Sequence, residues 1–559
     1  MENTIPQTES AIQLIGEDKL VLNSSKSVTA PGPHQILMKV EAVGLCFSDL
    51  KLLKQFHNHA RKSEIISGAD NDILAEIPSY KPCFEPTVPG HEAFGVIVAV
   101  GDKVQRHCAG EKVLVQTDYR WLKTAASNSA FGYNFEGGLQ EYVLMDERII
   151  VDPESGESFL IPVDKDISAS AIALVEPWAC VESSYITEER SCIKPAGRLL
   201  VVADAGFEIK GLAESFSAEA APAQVTACCA EVSQLDSLKA AGLDVAVAED
   251  IASLPPESFD DIVYFGCDKQ TIETLDAKLA ALGIINIVLA GGQIGADVSV
   301  SVGRTHYGMT RWIGTTSPDA SASYKNVPAI GEVRTGDNVL IVGAAGPMGQ
   351  MHTIRLLCAG IENISVVGTD FDDERLESLA HKAKPLAEQN NVNLALVNPQ
   401  NQPVTDKFSY FAIMAPVAPL VAKSIKDSAG GALINIFAGI PATVKQDIDL
   451  DTYIANRCYM FGTSGSRLSD MKIVLEKVLS GSLDTNCSVD AVSGMAGAID
   501  GIRAVENRLI PGKIVVYPEL KSMPLIRLEK LAERYPEVYA KLNNGIWSLE
   551  AEKELLGKA

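Results

Sequence analysis

The sequence predicts an α/β protein in which a β-rich region precedes two tandem doubly wound units. Up to about residue 190, apolar runs such as HQILMKVEAVGLC are β-branched and interrupted by glycine, as strands and turns are. From about 191, strand-like apolar runs alternate with helical stretches, which predicts βαβ units around a parallel sheet. Two segments of this second part also resemble each other.

The resemblance between the two segments favours a duplication. Ile285-Asn286-Ile287 matches Ile434-Asn435-Ile436, and Gly291 and Gly439 are each followed 23 residues later by Gly-Thr. Any two βαβ units look alike, but the shared 23-residue spacing is more specific. We therefore predict a β-rich domain over 1–190, a first α/β unit over 191–325, a second over 326–465, and a C-terminal part over 466–559. The last part contains PLIRLEKLAERYPEVYAKL, which is typical of an amphipathic surface helix packed on its own chain.

The composition excludes several classes of function. The 559 residues include 72 acidic and 48 basic side chains, a formal net charge of −24, which repels phosphate backbones and argues against a nucleic acid partner. No apolar run reaches about 18 residues, so no membrane span is expected.

The start, MENTIPQTES, does not look like a secretory signal, and the eleven cysteines form no C-x-x-C pair. These features favour the reducing cytoplasm.

The second α/β unit carries a dinucleotide-binding pattern. DNVLIVGAAGPMGQMHTIRLL predicts strand, turn and helix, and Gly343, Gly346 and Gly349, with Pro347 and Met348 between them, suit a turn whose N–H groups face a pyrophosphate. The next predicted strand ends at Asp370, 21 residues past Gly349. A carboxylate there accepts hydrogen bonds from the ribose of NAD and repels the extra phosphate of NADP. The simpler alternative is a tight turn followed by a helix-capping aspartate, but the combination favours NAD.

The first α/β unit lacks most of this pattern. In ADAGFEIKG only Gly206 falls on a motif position, and Glu208 would direct negative charge at a phosphate without a neutralising partner. The next strand, QVTACCAE, has no terminal aspartate, although Glu231 lies close by. We expect this unit to keep the fold, to bind no dinucleotide, and to act structurally, by bracing the active-site region or by building a subunit interface.

The front region contains side chains of the types that hold a catalytic zinc. They are Cys46 in GLCFSD, His91 and Glu92 in VPGHEAFG, and Glu176 in LVEPWAC. Thiolate, imidazole and carboxylate are zinc ligands, and a site with an open position can take substrate. Each residue also has an ordinary alternative, namely a buried thiol, a core histidine or a helix cap. Spacing alone leaves their convergence open.

These motifs, in this order, resemble the zinc-type medium-chain dehydrogenases/reductases. GLCFSDLK, VPGHEAFGVIVAVGDKV, GGLQEYVLM, VEPWAC and VLIVGAAGPMG carry the resemblance, which covers about 30–190 and 326–520. The Glu-Pro pair is most similar to the sorbitol (polyol) dehydrogenase branch. The resemblance implies a GroES-like catalytic domain, to which 466–559 returns, and a Rossmann domain that binds NAD.

The resemblance also implies roles for single residues. Cys46, His91 and Glu92 would ligate zinc, and Glu176 would be a further ligand, direct or through water. Ser48 would pass on the alcohol proton, and Asp49 would orient the site. The glycines of the turn and Asp370 would hold NAD.

The sequence departs from the family pattern in three places. The stretch that carries four clustered cysteines in many relatives has none here, which predicts one zinc rather than two. Lys51 stands where relatives have a relay histidine, with His57 and His59 nearby. The first α/β unit has no place in the ordinary family architecture.

The sequence therefore predicts a zinc-dependent oxidoreductase that transfers a hydride between NAD and a secondary alcohol, with the ketone as the other member of the pair. A polyol, sugar or sugar-phosphate is the expected substrate, and a homo-oligomer is the expected assembly. Lys51, Arg120 and Lys123 are candidates for holding an anionic group, or are ordinary surface charges. The alternatives are a zinc-free reductase of activated double bonds and a non-catalytic NAD-binding sensor or scaffold.

Overall fold

The computed structural model describes residues 5–240 and 242–557. The chain divides into two compact units, Met1–Glu182 with Gly465–Ala559, and Ser183–Ser464. No helix in the described ranges combines the length and the apolar composition that a membrane span requires.

The chain begins with a strand-rich segment and continues into the first α/β segment. The strand-rich segment contains β1 (Thr8–Gly16), β2 (Lys19–Ser27), β3 (Gln35–Gly44), α1 (Phe47–Gln55), β4 (Ile65–Ser67), α2 (Asn71–Ala75), β5 (Glu92–Val100), β6 (Lys112–Val115), β7 (Asp118–Thr124), β8 (Asn128–Ala130), β9 (Tyr142–Asp146), α3 (Glu147–Ile150), β10 (Leu160–Pro162), α4 (Ala169–Ala173) and α5 (Val175–Ile186). The first α/β segment contains β11 (Arg198–Ala203), β12 (Gln224–Cys229), α6 (Val232–Ala240), β13 (Val245–Val247), β14 (Phe259–Phe265), α7 (Lys269–Asp276), β15 (Leu279–Val288), β16 (Val298–Val300), α8 (Val302–Tyr307), β17 (Arg311–Thr315) and α9 (Ser321–Tyr324).

The remaining elements complete the second unit and return to the first. The second α/β segment contains β18 (Asn338–Val342), α10 (Pro347–Cys358), β19 (Ser365–Thr369), α11 (Asp373–Gln389), β20 (Asn393–Val397), β21 (Phe408–Ile413), α12 (Pro419–Lys426), β22 (Ser428–Ile436), β23 (Gln446–Ile448), α13 (Leu450–Ala455) and β24 (Tyr459–Phe461). The C-terminal segment contains α14 (Leu468–Ser480), β25 (Val489–Ser493), α15 (Met495–Glu506), β26 (Lys513–Val516), β27 (Ile526–Arg527), α16 (Leu531–Arg534), α17 (Pro536–Tyr539) and α18 (Leu549–Leu556).

The first compact unit is built around an eight-stranded sheet. Its order is β10-β6-β5-β3-β26-β25-β27, with β9 also paired to β3. Strands β3 and β5 run antiparallel, with Gly44 opposite Glu92, and β26 pairs with the end of β3. The C-terminal segment therefore supplies strands to the same sheet that positions the predicted zinc ligands.

The stretch PLIRLEKLAERYPEVYAKL is not the single amphipathic helix that its pattern predicts, because it forms the short helices α16 and α17 instead. The separate stretch SLEAEKELLGK, which also has a helical pattern, forms α18. Pro536 has no N–H to donate and Tyr535 before it is not helical (φ −134°, ψ 63°), so the helix is interrupted there. The buried Trp547 donates to the Tyr517 hydroxyl at 2.8 Å, and the Glu552 carboxylate accepts from the Ala169 N–H at 2.6 Å. These contacts hold the tail against α4 and the sheet of its own unit.

The second compact unit is organised by one twelve-stranded sheet. Its order is β13-β12-β11-β14-β15-β17-β24-β22-β21-β18-β19-β20, so the first α/β segment fills one half and the second fills the other. Within each half the strands run parallel, with helices in the connections. The predicted fold class, a β-rich region followed by tandem doubly wound α/β units, is confirmed.

The two halves meet through a pseudo-two-fold relationship. Trp312 of β17 pairs antiparallel with Met460 of β24, and Ser299 of β16 pairs antiparallel with Asp447 of β23. Both pairs lie 148 residues apart, which is the offset that separates Gly291 from Gly439. Each position thus meets its own counterpart, as in an isologous interface between identical subunits.

Each half of the sheet is contacted by the short helix that precedes the other half in sequence. Asn435 on β22 donates its side-chain amide to the Ser184 hydroxyl of α5 at 3.1 Å. Its counterpart on β15, Asn286, accepts from Ser323 of α9 at 2.8 Å. Helix α5 precedes the first half in sequence but packs on the second, whereas α9 precedes the second half and packs on the first.

Candidate active site

The first element of the site is Cys46, which lies at the N-cap of α1. Its backbone N–H donates to Asp49 Oδ2 at 3.0 Å, so the side chain of Asp49 fixes the first turn of the helix. The thiol of Cys46 is half-buried at a helix N-terminus. The side chain therefore lies at the positive end of the dipole of α1.

His91 is oriented by the other oxygen of the same aspartate. Its Nδ1 lies 3.1 Å from Asp49 Oδ1, and both side chains are buried. Burial lowers the pKa of His91, but the Asp49 carboxylate outweighs it and raises that pKa well above its usual value. A metal-binding histidine normally donates its second ring nitrogen to a carboxylate in this way, which leaves Nε2 for the metal.

Glu92 is fully buried and bound on one side by Lys513. Lys513 Nζ donates to Glu92 Oε1 and to the Leu45 carbonyl, each at 2.6 Å. Oε2 of Glu92 is buried without a hydrogen-bond partner. A Cβ on Gly44 would lie 2.0 Å from that oxygen, so only glycine at the end of β3 leaves room for it.

These three side chains form a compact donor set. One ligand atom from each of Cys46, His91 and Glu92 lies within 4.8 Å of the others, and no other set of three in residues 5–240 and 242–557 does so. Soft sulfur with nitrogen and oxygen suits Zn²⁺. The orphaned Oε2 of Glu92 fits the same ion, because a buried carboxylate oxygen without a partner is costly. The residues therefore fit a catalytic zinc.

Glu176 is near this set but is not part of it. It is buried on α5, and burial raises its pKa to about 7, with the charge of His91 opposing that shift and the charge of Glu92 adding to it. The neighbouring Cys180 thiol is also buried, which raises its pKa well above the usual value. A neutral Glu176 carboxyl can therefore lie beside the site at neutral pH.

The two residues predicted to handle protons lie on α1. Ser48 is half-buried two residues after Cys46, and Lys51 is exposed on the next turn. His59 lies within the influence of Lys51, and burial lowers its pKa to about 4, with Arg61 and then Lys51 adding to that shift. The ring of His57 instead stacks on Phe84 at 4.1 Å.

A second cluster, which the sequence pattern did not predict, lies beside His91. Tyr133 is buried, and its ring centroid lies 5.8 Å from that of His91 and 5.1 Å from that of His59. Burial raises the pKa of Tyr133 to about 12, so its hydroxyl stays protonated. The Arg61 guanidinium lies 5.6 Å from the centre of the same ring.

Arg61 and Arg120 share the buried Asp118. Arg61 lies 2.5 Å from the Asp118 carboxylate, and Arg120 lies 3.6 Å from it while donating to the Ser466 carbonyl at 2.9 Å. The Asp118 carboxylate thus has two arginine partners. Lys123 is exposed on the same strand, β7.

Three residues of the site could not be identified from the sequence, namely Lys513, Tyr133 and Arg61. Each makes its contact through residues distant in sequence, and none lies in a recognisable motif. The only sequence signal was the presence of Tyr133 just ahead of the GGLQEYVLM motif.

The glycine-rich turn of the second half joins a strand to a helix, as its pattern predicts. Gly343 has φ +82°, and its N–H donates to the Thr369 carbonyl at 2.8 Å. Gly346 caps α10, with Pro347 at the first helical position and Met348 after it. A Cβ on Gly349 would lie 2.1 Å from the Gly343 carbonyl oxygen, so glycine is required for the helix to approach the strand. The N-terminus of α10 therefore lies directly after this turn.

Asp370 follows β19 and faces this turn. Its Oδ2 accepts from the Ala345 N–H at 3.2 Å, and its side chain is half-buried. Asp372 caps α11 by accepting from the Arg375 N–H at 3.1 Å. The carboxylate that the sequence assigned to ribose binding thus lies beside the turn, whereas Asp372 has a structural role.

The first half repeats one contact of this arrangement but not the helix. The Gly206 N–H donates to Glu231 Oε1 at 2.9 Å, over the same 25-residue separation as Ala345 and Asp370. Between β11 and β12, however, only a 3-10 turn at Ala213–Ser215 is present. The helical stretch expected there is absent from these described residues, so no α-helix begins at this turn.

The expectation for Glu208 is wrong in one respect. Its exposed carboxylate is paired with Lys210, so it is neutralised by a neighbour two residues away. The loss of the helix, rather than repulsion by Glu208, is the larger change at this turn.

Comparison with known proteins agrees with the fold and the motifs. The alcohol dehydrogenase GroES-like domain model matches residues 32–154. Mannitol-1-phosphate 5-dehydrogenase from Aliivibrio fischeri is 28% identical over 249 residues, which are 40% of this chain and 57% of that protein. The uncharacterized protein YggP of Escherichia coli K12 is 28% identical over 250 residues, with the same two shares. The chain thus spans little more than half the length of these relatives.

A solved structure is similar in fold over most of the chain. The 2R,3R-butanediol dehydrogenase of Bacillus subtilis aligns with 91% of this chain and 100% of its own, with 14% sequence identity and a TM-score of 0.51. At this identity the likeness concerns the fold.

Proposed function

Because the chain belongs to the medium-chain dehydrogenase/reductase superfamily, we propose that it is a zinc-dependent dehydrogenase that transfers a hydride between NAD and a secondary alcohol. The proposed substrate is a polyol, a sugar or a sugar-phosphate, in keeping with the sorbitol dehydrogenase branch that the Glu-Pro motif resembles.

The convergence of Cys46, His91 and Glu92 carries this proposal. Three residues separated by up to 46 positions in sequence place ligand atoms within 4.8 Å of one another. Their donor types match a catalytic zinc with an open position. When bound, such an ion supplies Lewis acidity that lowers the pKa of a substrate hydroxyl.

The protein residues contribute positioning and proton movement. Asp49 fixes both Cys46, through its backbone N–H, and His91, through Nδ1. Lys513 balances the charge of Glu92. Ser48, on the first turn of α1, takes the proton from the substrate hydroxyl and passes it toward solvent.

The cofactor is proposed to be NAD. The N–H groups at the start of α10 would hold the pyrophosphate, with Gly343, Gly346 and Gly349 allowing its approach. Asp370 would accept from the ribose hydroxyls and would repel the phosphate of NADP.

We propose that the arginines beside the site bind an anionic group of the substrate. Arg61 and Arg120 converge on the single Asp118 carboxylate, and the ring of Tyr133 connects Arg61 with His91. Lys51 and Lys123 are exposed and are less suited to selective binding. A sugar-phosphate is therefore preferred to a neutral polyol.

Two alternatives are less well supported. A zinc-free reductase of activated double bonds does not need the convergent Cys-His-Glu set. A non-catalytic NAD-binding sensor does not need Asp49 to orient His91 toward a metal.

The experiment is metal analysis of the purified full chain combined with a substrate panel. We expect one zinc per chain and NAD-dependent oxidation of polyols or polyol phosphates that chelation abolishes and added zinc restores. Activity that persists without metal, or bound zinc with no activity on any secondary alcohol or ketone, would contradict the proposal.

The cytoplasm and a homo-oligomeric assembly remain predictions from the sequence. Light scattering on the purified chain measures the assembly. Its result is independent of the metal analysis.

A further inference from the structure

We infer that the first α/β half supplies Tyr307 as a positioning residue at the nicotinamide end of the dinucleotide site on the second half. This inference rests on the proposed function, because it concerns the same NAD site. It gives the degenerate half a role in binding the cofactor that it cannot itself hold.

The strand order fixes which part of the second half faces the nicotinamide. A dinucleotide lies across the carboxyl ends of the strands, with its two nucleotides on opposite sides of the turn. Asp370, at the end of β19, marks the adenosine side. The other nucleotide would therefore lie over the ends of β21, β22 and β24, which are on the opposite side of β18 from β19.

Helix α8 of the first half reaches these strand ends. His306 Nδ1 lies 3.3 Å from the Ile436 carbonyl oxygen at the end of β22. A Cβ on Gly462, directly after β24, would lie 3.1 Å from the His306 Cα. A Cβ on Gly439, three residues after β22, would lie 2.8 Å from the Tyr307 hydroxyl oxygen. Two glycines, Gly439 and Gly462, therefore lie at the positions that α8 approaches.

Tyr307 borders open space rather than filling the core. It is 41% exposed, and Gly439 beside it is also exposed. Its ring packs edge-on against His306 with centroids 4.7 Å apart, and His306 lies next to Phe437 at 6.1 Å. A tyrosine held in this way offers an exposed ring to a planar ligand such as nicotinamide.

The contact is present only on the side that carries the nucleotide motif. Under the pseudo-two-fold relationship, Gly291 is the counterpart of Gly439, and a Cβ on Gly291 would meet no atom of the described residues within 4 Å. The counterpart of Tyr307 is Ala455, which has no aromatic ring. If α8 only supported the sheet, its counterpart in the second half would be expected to make an equivalent contact at Gly291. The difference points to a role at the cofactor.

The test compares two ligands that differ at the nicotinamide. Calorimetry on the full chain measures the affinity of NADH, and of ADP-ribose, which has no nicotinamide ring. We expect Tyr307→Ala to weaken the affinity for NADH by about tenfold and to change the affinity for ADP-ribose by less than about twofold. Tyr307→Phe, which keeps the ring, should show the part of the NADH effect that belongs to the hydroxyl.

Controls separate this role from a structural one. Tyr539 is similarly exposed, at 43%, in the other compact unit, so Tyr539→Ala should leave both affinities unchanged. Equal weakening of both ligands by Tyr307→Ala, or no weakening of either, would overturn the inference while leaving the proposed function intact. Wild-type protein that binds neither ligand would overturn the proposed function and this inference with it.

Discussion

Lys513 and Glu92 form an ion pair of 2.6 Å in which both side chains are almost completely buried. Burial lowers the pKa of Lys513, but the charge of Glu92 outweighs it and keeps the ammonium protonated. The pair lies between β26 and β5, so the C-terminal segment of the chain completes the predicted zinc site. Because Oε1 is taken by Lys513, only Oε2 is available to a metal.

Removing Lys513 tests whether Glu92 is a ligand. Lys513→Met leaves a buried carboxylate without its cation, which should lower the free energy of unfolding by about 3–5 kcal/mol in metal-free protein. If Oε2 of Glu92 binds zinc, the substitution should lower the free energy of unfolding of the zinc-loaded protein by clearly less, because the metal balances the charge of the carboxylate. Denaturant unfolding with and without chelator measures both values. Equal losses in the two states would assign Glu92 to a supporting role and favour Glu176 as the ligand.

The second prediction concerns the number of metal ions. Cys46→Ser should remove the zinc and at least about 99% of the activity, because a hydroxyl is a much poorer ligand than a thiolate. Cys108→Ser, at an exposed thiol, is the matched control and should keep both. Mass spectrometry for metals should find one zinc per wild-type chain, and two would contradict the prediction.

The third prediction concerns cofactor choice. Asp370→Ala should weaken the affinity for NAD by about tenfold. It should also reduce the difference between the affinities for NAD and NADP, since the repulsion of the 2′-phosphate is lost. Steady-state kinetics with both cofactors measures the change, and Asp372→Ala provides a neighbouring control. Wild-type protein that prefers NADP would show that Asp370 has another role.

Proton transfer gives the fourth prediction. Ser48→Ala should slow turnover by about 100-fold or more, whereas Lys51→Ala should slow it less than tenfold, because water can reach an exposed position on α1. Single-turnover rates over a range of pH separate this step from product release. Equally large losses would make Lys51 part of the proton path.

The fifth prediction concerns the first half of the large sheet. Calorimetry should find one NAD site per chain, since no helix N-terminus follows the turn after β11 in the described residues. Glu231→Ala should leave the affinity for NAD within about twofold. A second site, sensitive to Glu231→Ala and retained in Asp370→Ala, would show that this half still binds nucleotide.

The parts of the fold that depend on local pattern could be predicted from the sequence. The turn at Gly343, Gly346 and Gly349 needs glycine for backbone conformation or close approach, and those requirements act over a few residues. The alternation of strands and helices similarly predicts the α/β class. The continuous tail helix was wrong because Pro536 overrides an amphipathic pattern that spans it.

The sequence by itself determined the fold class, the nucleotide-type turn and the residue types suited to zinc, because these follow from periodicity and from the chemistry of short motifs. Only the tertiary structure decided that Cys46, His91 and Glu92 converge, that Lys513 neutralises Glu92 from 421 residues away, and that Trp312 meets Met460 across the sheet. Those contacts join segments that are distant in sequence. Their positions depend on which strands become neighbours, and the burial of strand edges and apolar faces within each compact unit decides that.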